Sequence, residues 1–478
     1  MAITDSMIQT AMSHLRAGAR GEAAKVLRDV CRIEPSHIRA HCMLAIVTYQ
    51  DGDSGGALAI LDELESRHPD KPEVVRSRAE VLRGTGNLEA ALDAQRKARE
   101  LNPHDPVGHL QEGVLLDAMG RRTEAMAAAE QALTLKPDLT GAQQLLGALT
   151  YRTGEIGESA RLMAEARRAG KAGIDPNHHQ ALSLFGLGRI NELMALTPAI
   201  HPTQRFGETM VKAIAAWLDN DPQRCGDMLI EAQPLAGNAA IDAPNRSVFI
   251  VYGAILDGLL SWRRDNPDSY GREAEQTFHV IGDSHVLTAA NLTLPVAGVM
   301  TRLKSHFTFG CKAWHLVRDE PSPYRSFFQA AADGIPASST VVAGYGELDC
   351  RYKEGIMRVV RNNPARDWRA LVDDLVPRYV AFVMAEAERR GWTLWLQTPP
   401  MSNVNTSLLL TDDRLAFLGI IERFNERLRA EAEAHKLPLI DVKAATTTPK
   451  RTPRHTHYID TNQVRPTALI EALRLMTL

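Results

Sequence analysis

The feature that most constrains this chain is a 34-residue period in its N-terminal half. Prolines recur at that interval, at Pro35, Pro69, Pro103 and Pro137. Two further columns share the period: Gly18, Gly52, Gly86, Gly120 and Gly154 form one, and Ala23, Ala57, Ala91, Ala125 and Ser159 form the other. Self-similarity at a fixed period of this length is typical of stacked helical repeats.

Each column has a physical reason. The apolar spacing before each glycine predicts a helix, as at Val81 and Leu82 before Gly86, and the glycine ends that helix where a left-handed conformation is needed. The small residue five positions later allows the second helix of the unit to approach the first closely. The proline then ends the second helix. Each unit is therefore a helix-turn-helix that buries its apolar face only by stacking on its neighbours.

These units, for example LRAGARGEAAKVL and LRGTGNLEAALDAQRKARELNP, resemble the tetratricopeptide repeat family. The resemblance begins at residue 4 and predicts a repeat domain over residues 1–170. The period fades from 171, but ALSLFGLGRINELMAL and VKAIAAWLDNDPQRCGDMLIEA still indicate helix pairs. We therefore expect degenerate or capping helical repeats over 171–265, and an almost wholly helical chain up to that point.

The resemblance implies that a protein or peptide partner binds the repeat surface. The alternative is that the array packs only against the second half of its own chain. A nucleic-acid partner is not indicated, because 55 Lys and Arg against 58 Asp and Glu give a net charge of −3.

Composition and the first residues favour a cytoplasmic protein. The sequence contains no run of roughly 20 apolar residues that could span a membrane. Its first residues, MAITDSMIQTAMSHLRAG, include an early aspartate and lack the apolar segment of a signal peptide. The cysteines form no CxxC motif, which favours reduced thiols. The neighbouring His178 and His179 are interpreted as a loop or capping feature and not as a metal site.

The C-terminal half alternates short apolar runs with longer amphipathic ones. A polar, turn-rich segment at 263–276 predicts a domain boundary before a domain over 277–478. The sequence predicts strands at 277–282, 306–310, 339–346, 393–398 and 437–442, and helices at 286–303, 323–333, 368–390, 412–435 and 466–477. We expect a three-layer α/β domain with a five-stranded parallel sheet, following an all-α helical repeat solenoid. Ligands of such sheets bind at the carboxyl ends of the strands.

The first predicted strand ends in Gly282-Asp283-Ser284-His285 and leads directly into a helix. A serine at such a turn presents its hydroxyl and its backbone N–H at the carboxyl edge of the sheet. The alternative interpretation of these four residues is a Ser/Asp cap of the helix.

Three later segments extend the pattern. FTFGCKAWHL contains Gly310, VVAGYGELDCR contains Glu347, Asp349 and Arg351, and HYIDTNQVRP contains Asp460. This ordered set resembles the SGNH (GDSL-like) hydrolase superfamily, whose domain is of the flavodoxin-like type. The resemblance implies that Ser284 is the nucleophile, that Gly310 supplies an oxyanion N–H, and that Asp460 orients a catalytic base.

The sequence departs from that family at two places. The third segment lacks the usual oxyanion asparagine and reads Gly346-Glu347-Leu348-Asp349. Gln463 stands where the family has its histidine, and a glutamine cannot accept the serine proton near neutral pH. The candidates for a substitute base are His455 and His457, which lie a few residues upstream, or Glu347 or Asp349 instead. His285 adjoins Ser284, but its side chain should diverge from the serine on the helix. Glu347 and Asp349 alternatively form structural pairs with Arg351.

We therefore expect either of two functions. The first is an acyl-ester hydrolase or O-acyltransferase that acts on a carbohydrate or protein-linked substrate, with the repeats recruiting a partner. The second is a non-catalytic binding or scaffold protein whose SGNH-like domain has lost its catalytic histidine, with Gln463 in its place. In either case the sequence indicates no cofactor and no metal.

Overall fold

The computed structural model describes residues 2–169, 175, 178–238, 241, 243–450, 452–460 and 462–476. The boundary predicted at 170 and 171, and the last two residues of the chain, lie outside these ranges. The chain divides into two compact units, one formed by residues 1–149 and 161–173 and the other by 150–160 and 174–478. No helix among the described residues is both long and apolar enough to cross a bilayer.

The first ten helices follow the 34-residue period. Their bounds are α1 Ala2–Arg16, α2 Arg20–Ile33, α3 Ile38–Gln50, α4 Ser54–Arg67, α5 Pro72–Gly84, α6 Leu88–Leu101, α7 Pro106–Ala118, α8 Arg122–Leu135, α9 Thr140–Arg152 and α10 Ile156–Arg168. Each proline of the period lies two residues beyond the end of α2, α4, α6 or α8. Among the described residues of 2–265 none lies in a strand, so the predicted helical repeat solenoid is confirmed.

The glycine column forms the turns within the pairs. Gly86, for example, has φ +81° between α5 and α6. The N–H of Asn87 then donates to the carbonyl of Leu82, five residues earlier, at 3.0 Å, as in a Schellman turn. The small-residue column lies in the core, because Ala91 and its equivalents at 23, 57, 125 and 159 are all 0% exposed. The second helix of each pair can therefore pack closely on the first.

The same turn recurs beyond residue 171, within the second unit. The helices are α11 His179–Gly186, α12 Ile190–Met194, α13 Pro202–Leu218, α14 Pro222–Ala236 and α15 Ala243–Asp265. Gly188 has φ +69° between α11 and α12, which continues the 34-residue column after Gly154. Asn220 takes this place between α13 and α14 with φ +63°, and the N–H of Asp221 donates to the carbonyl of Ala216 at 2.9 Å.

These helices share a core with the α/β region. Trp217 of α13 is fully buried, and its Nε1–H donates to the carbonyl of Leu287 at 2.9 Å. The amide of Asn291 donates in return to the carbonyl of Trp217 at 3.0 Å. One continuous apolar cluster runs from Phe206 on α13 to Val280 in the sheet. Helices of the predicted degenerate-repeat segment thus pack against the α/β part of their own chain.

The described residues form one six-stranded sheet with the order β2-β3-β1-β4-β5-β6. Its strands are β1 Gln276–Gly282, β2 Thr293–Val296, β3 Val299–Phe307, β4 Thr340–Gly344, β5 Thr393–Gln397 and β6 Leu439–Ile440. Strand β2 is antiparallel to β3, and the other neighbours are parallel. The predicted five-stranded parallel sheet is therefore corrected to a mixed sheet of six strands.

The helix predicted at 286–303 is wrong. That segment contains only a short helix, α16 Val286–Ala289, followed by the β2-β3 hairpin. Ala297 and Gly298 have φ +49° and +83°, as a two-residue hairpin turn requires. Because the turn contains an alanine rather than Asn-Gly, the sequence carries a weak hairpin signal there. The strand predicted at 306–310 accordingly begins earlier, at Val299.

Helices cover both faces of the sheet. The remaining helices are α17 Ala313–Leu316, α18 Pro323–Asp333, α19 Glu347–Cys350, α20 Gly355–Asn362, α21 Trp368–Arg390, α22 Thr411–Ala434, α23 Val442–Thr446 and α24 Pro466–Leu475. Successive residues of β4 point into different cores: Val342 belongs to the core that includes Leu469 of α24, whereas Val341 belongs to the core of α18, α21 and α22. This alternation is expected for a strand buried on both faces.

Candidate active site

The predicted serine lies at the carboxyl edge of the sheet, immediately after β1. Strand β1 pairs with β4 so that Gly282 lies opposite Gly344, and a Cβ at Gly282 would lie 2.2 Å from the carbonyl oxygen of Gly344. Only glycine allows this approach. The register brings the residues that follow the two strands, Asp283 to His285 and Glu347 to Arg351, to one place.

The hydroxyl of Ser284 is enclosed. The residue is 2% exposed, and its Oγ has no hydrogen-bond partner in the described part of the chain. No imidazole of the described residues forms a hydrogen bond with Ser284 Oγ. In a working Ser-His pair the imidazole accepts a hydrogen bond from the serine hydroxyl.

Gln463 occupies the position beside Ser284, but it binds other groups. Its Nε2–H₂ donates to Thr288 Oγ1 at 2.6 Å and, at 3.3 Å, to the backbone carbonyl of Ser284. Its Oε1 is buried and accepts no hydrogen bond from any described residue. Asp460 accepts the backbone N–H groups of Asn462 and Gln463 with one carboxylate oxygen, at 2.7 Å each. Asp460 thus stabilises the turn, and its carboxylate contacts within the described part of the chain are with backbone N–H groups.

His285, next to the serine, turns toward two carboxylates. Its Nε2 lies 2.9 Å from the carbonyl oxygen of Asn462, and its Nδ1 lies 3.3 Å from Asp283 Oδ1 and 3.8 Å from Glu347 Oε2. Burial lowers the pKa of His285, but the hydrogen bond to Asp283 and the charges of Glu347 and Asp283 outweigh burial, so the pKa is raised above its usual value.

Glu347 and Arg351 form a close ion pair. Arg351 Nε lies 2.8 and 2.9 Å from the two carboxylate oxygens of Glu347. Burial lowers the pKa of Arg351, yet the Glu347 charge and hydrogen bond raise it overall. Both glutamate oxygens therefore face a cation, which disfavours a role of Glu347 as general base in this geometry.

Asp349 has a positioning role. Its carboxylate accepts the backbone N–H groups of Ala313 and Trp314 at 2.8 and 3.2 Å, and it is fully buried. Burial raises the pKa of Asp349 to about 6, although the two N–H groups oppose the shift. Asp349 thereby fixes the segment that follows β3.

Gly310 lies in the turn after β3 with φ +66°. The turn is tied to the end of β1, because Thr308 donates through both its N–H and its hydroxyl to the carbonyl of Gly282, at 2.9 and 2.7 Å. The structure therefore keeps the segment of the predicted oxyanion glycine beside the end of β1.

The upstream histidines are engaged elsewhere. His455 contacts Asn403, and His457 Nε2 lies 2.9 Å from Glu471 of α24. In the region of the predicted capping histidines, His179 Nδ1 lies 2.9 Å from Asp175, and the ring of His178 packs against Phe249. None of these contacts involves Ser284.

The sequence pattern did not identify Asp283 and Gln397 as residues of this site. Both side chains line a small cavity of about 10 Å³ at the carboxyl edge, together with His285 and Glu347. Asp283 is 1% exposed, and its Oδ2 lacks a hydrogen-bond partner among the described residues. The Asp-x-His spacing of Asp283 and His285 is the sequence signal that could have indicated this site. The presence of Gln397 at the site depends on the fold and has no sequence signal.

The comparisons with known proteins concern the repeats. The tetratricopeptide repeat family model matches residues 109–139. No curated protein matches the sequence. Among solved structures, the chain is similar to a tetratricopeptide repeat protein of Thermus thermophilus, at 23% identity and TM-score 0.33, covering 38% of this chain and 98% of that one.

Two further solved structures are similar. PilF of Pseudomonas aeruginosa is 16% identical, with TM-score 0.36 and 50% of this chain and 94% of that chain covered. A repeat protein of Parabacteroides merdae is 15% identical, with TM-score 0.35 and coverage of 52% and 98%. The family match at residues 109–139, with the helix pairs that repeat every 34 residues, shows that the N-terminal half contains tetratricopeptide repeats.

Proposed function

We propose that this chain is a scaffold that binds a protein or peptide partner through its repeats, and that its SGNH-like domain does not act as a serine hydrolase. The observation that carries the second part is the enclosed Ser284 hydroxyl, which lacks a base among the described residues. Gln463 donates to Thr288 and to the Ser284 carbonyl and cannot replace the base.

The repeats offer a groove suited to a peptide. A groove of about 760 Å³ within the first unit is lined by apolar side chains, including Ile38 and Met43, and by the cations Arg20, Arg39 and Lys71. Among the described residues that line the groove, Glu73 is acidic, so the cations outnumber it. We infer a peptide with an apolar anchor and acidic groups as the partner.

Free cysteines support a reducing compartment. Cys31, Cys42, Cys225, Cys311 and Cys350 are all unpaired. Burial raises the pKa of Cys225 to about 12, which keeps that thiol protonated and unreactive. We therefore propose the cytoplasm as the location of the protein.

A peptide library displayed on phage tests the partner proposal. Selection on the full chain should enrich acidic peptides with an apolar residue, and Arg39→Glu should weaken their binding at least tenfold. Arg32→Glu is the matched control, because Arg32 is exposed and pairs with Asp29 outside the groove. Equal losses in both variants, or selection of basic peptides, would contradict the proposal.

An ester assay tests the absence of serine catalysis. The full chain and Ser284→Ala should hydrolyse p-nitrophenyl acetate at the same background rate. Hydrolysis by the full chain that disappears in Ser284→Ala would show a working nucleophile and overturn the proposal.

The second candidate is an acyl-ester hydrolase or O-acyltransferase for a carbohydrate or protein-linked substrate. Its support is the location of Ser284 at the strand-to-helix turn after β1, where SGNH-like enzymes hold their nucleophile. The structure would have to open around Ser284 and supply a base. Under this candidate, Gln463→His gains Ser284-dependent activity as the pH rises through about 6.5, the reference pKa of imidazole.

A further inference from the structure

A cluster of buried ligand-type side chains lies beside Ser284. Asp283, His285 and Glu347 each offer one ligand atom, and these atoms all lie within 4.8 Å of one another. We propose that these three residues bind one divalent cation of the Mn²⁺ or Zn²⁺ type. The proposal is independent of acyl chemistry and of a partner on the repeats.

The hydrogen bonds of His285 define which nitrogen faces the cluster. A backbone carbonyl only accepts, so Nε2, at 2.9 Å from the Asn462 oxygen, must carry a proton. In the neutral ring the Nδ1 lone pair then points toward Asp283 Oδ1 and Glu347 Oε2, at 3.3 and 3.8 Å. A lone pair that faces two carboxylates is unfavourable, so either a proton on Nδ1 or a metal cation lies between the ring and the two carboxylates. Metal-bound histidines commonly donate their other N–H to a backbone carbonyl in this way.

Two unpaired oxygens provide a second, independent observation. Asp283 Oδ2 and Gln397 Oε1 are buried and accept no hydrogen bond from the described residues. Asp283 and Gln397 are 1% and 7% exposed, and both line the small cavity that His285 and Glu347 also line. Buried polar atoms of native proteins almost always have a partner, so these two oxygens are available to a ligand in the cavity.

Space and geometry fit one ion. The cavity of about 10 Å³ has room for a single water-sized group. For metal bonds of about 2.1 Å, neighbouring ligands in a tetrahedral or octahedral shell lie roughly 3.0 to 3.4 Å apart. The separations of 3.3 and 3.8 Å from Nδ1 are near this range, and the ligand oxygens of Asp283 and Glu347 lie within 4.8 Å of each other, so binding requires the two carboxylates to close on the ion.

The ligand chemistry selects the metal class. Imidazole with carboxylate and amide oxygens suits Mn²⁺ or Zn²⁺ better than Ca²⁺, which prefers oxygen ligands alone. Arg351 balances one of the two carboxylate charges through its ion pair with Glu347. Asp283 therefore supplies the main uncompensated charge for the cation, and Glu347 is shared between the cation and Arg351.

Calorimetric titration of the chelator-treated full chain with MnCl₂ and with ZnCl₂ at pH 7.5 tests the site. We expect one equivalent of at least one metal to bind, with affinity lowered at least tenfold in Asp283→Asn and in His285→Asn. His455→Asn is the matched control and should bind as the unmodified chain does, since its contact is with Asn403. The electron paramagnetic resonance signal of bound Mn²⁺ should show coupling to the ring nitrogen of His285, and this coupling should be absent in His285→Asn.

If neither metal binds at one equivalent, the proposal is overturned. A protonated His285 would then be the cation between the two carboxylates. Binding that is unchanged in Asp283→Asn would overturn it as well. If Asp283→Asn and His285→Asn do not fold, Gln397→Glu decides the matter. Its additional carboxylate should raise the affinity severalfold, and an unchanged affinity would contradict the site.

Discussion

At the scale of single residues, the site depends on a few buried polar groups. Ser284, Gln463, Asp283 and Gln397 each have one buried side-chain atom without a partner among the described residues. Each such atom costs about 1–3 kcal/mol of stability when it stays unsatisfied. A ligand bound at this edge of the sheet would satisfy such atoms.

The sequence order identified Ser284, Gly310, Asp460 and Gln463, but their contacts could not be predicted. The proximity of Glu347 to Asp283 and His285 depends on the register of β1 against β4, where Gly282 pairs with Gly344. A sequence pattern assigns residues to strands, but it does not fix how two strands 60 residues apart align.

Ala91 tests the small-residue column of the repeats. It is 0% exposed in the core between α6 and its neighbours, so Ala91→Leu should lower the free energy of unfolding by about 1–3 kcal/mol through overpacking. Asp93→Leu, at an exposed position of the same helix, should change it by less than about 0.5 kcal/mol. Urea unfolding measures both, and equal effects would contradict close packing at this column.

At the scale of elements, the helices of the α/β domain with strong start signals were predicted best. α18 and α21 lie at the predicted 323–333 and 368–390, since Pro323 and the Asp367 cap define their beginnings. The β2-β3 hairpin was missed because Ala297-Gly298 is a weak turn signal. Short helices such as α16 and α19 have too few residues for a periodic pattern.

Glu386 of α21 accepts a hydrogen bond from Gln329 of α18, and its ionisation makes the free energy of unfolding depend on pH. Burial raises the pKa of Glu386, but hydrogen bonds from Arg389, Gln329 and Arg390 outweigh burial and lower it. Because the pKa of Glu386 is lower in the folded than in the unfolded state, ionised Glu386 stabilises the fold above the unfolded-state pKa of about 4.3. This stabilisation is lost as the pH falls through the folded-state pKa.

Glu386→Gln should therefore destabilise the protein at pH 7, and the difference from the unmodified chain should shrink as the pH falls below about 4. Urea unfolding at pH 7, 5 and 3.5 measures this difference. Glu388→Gln, at an exposed position of the same helix, is the control and should show little difference at any pH. A difference for Glu386→Gln that grows toward low pH would contradict the ion pairs.

At the scale of the whole molecule, the sequence period predicted the repeat solenoid but not where the repeats join another core. The αL turns at Gly188 and Asn220 preserve the repeat geometry after the period fades. The helices that they connect belong to the compact unit that contains the sheet. Such a shared core depends on long-range packing, which a local repeat pattern does not encode.

Substitution of Trp217 tests whether those helices share a core with the sheet. It is 0% exposed and donates to the Leu287 carbonyl, so Trp217→Ala should lower the free energy of unfolding of this unit by about 3–5 kcal/mol. Trp314→Ala removes an indole that is 43% exposed and should cost much less. Urea unfolding followed by circular dichroism compares them, and similar losses would contradict the shared core.

We propose that Ser284 is not an activated nucleophile. The most direct measurement is the intact mass of the full chain after incubation with a fluorophosphonate, alongside Ser284→Ala and a known serine esterase as positive control. We predict no mass increase for either form of this chain while the esterase is fully modified. A single adduct on the full chain that is absent from Ser284→Ala would contradict the claim and establish the hydrolase instead.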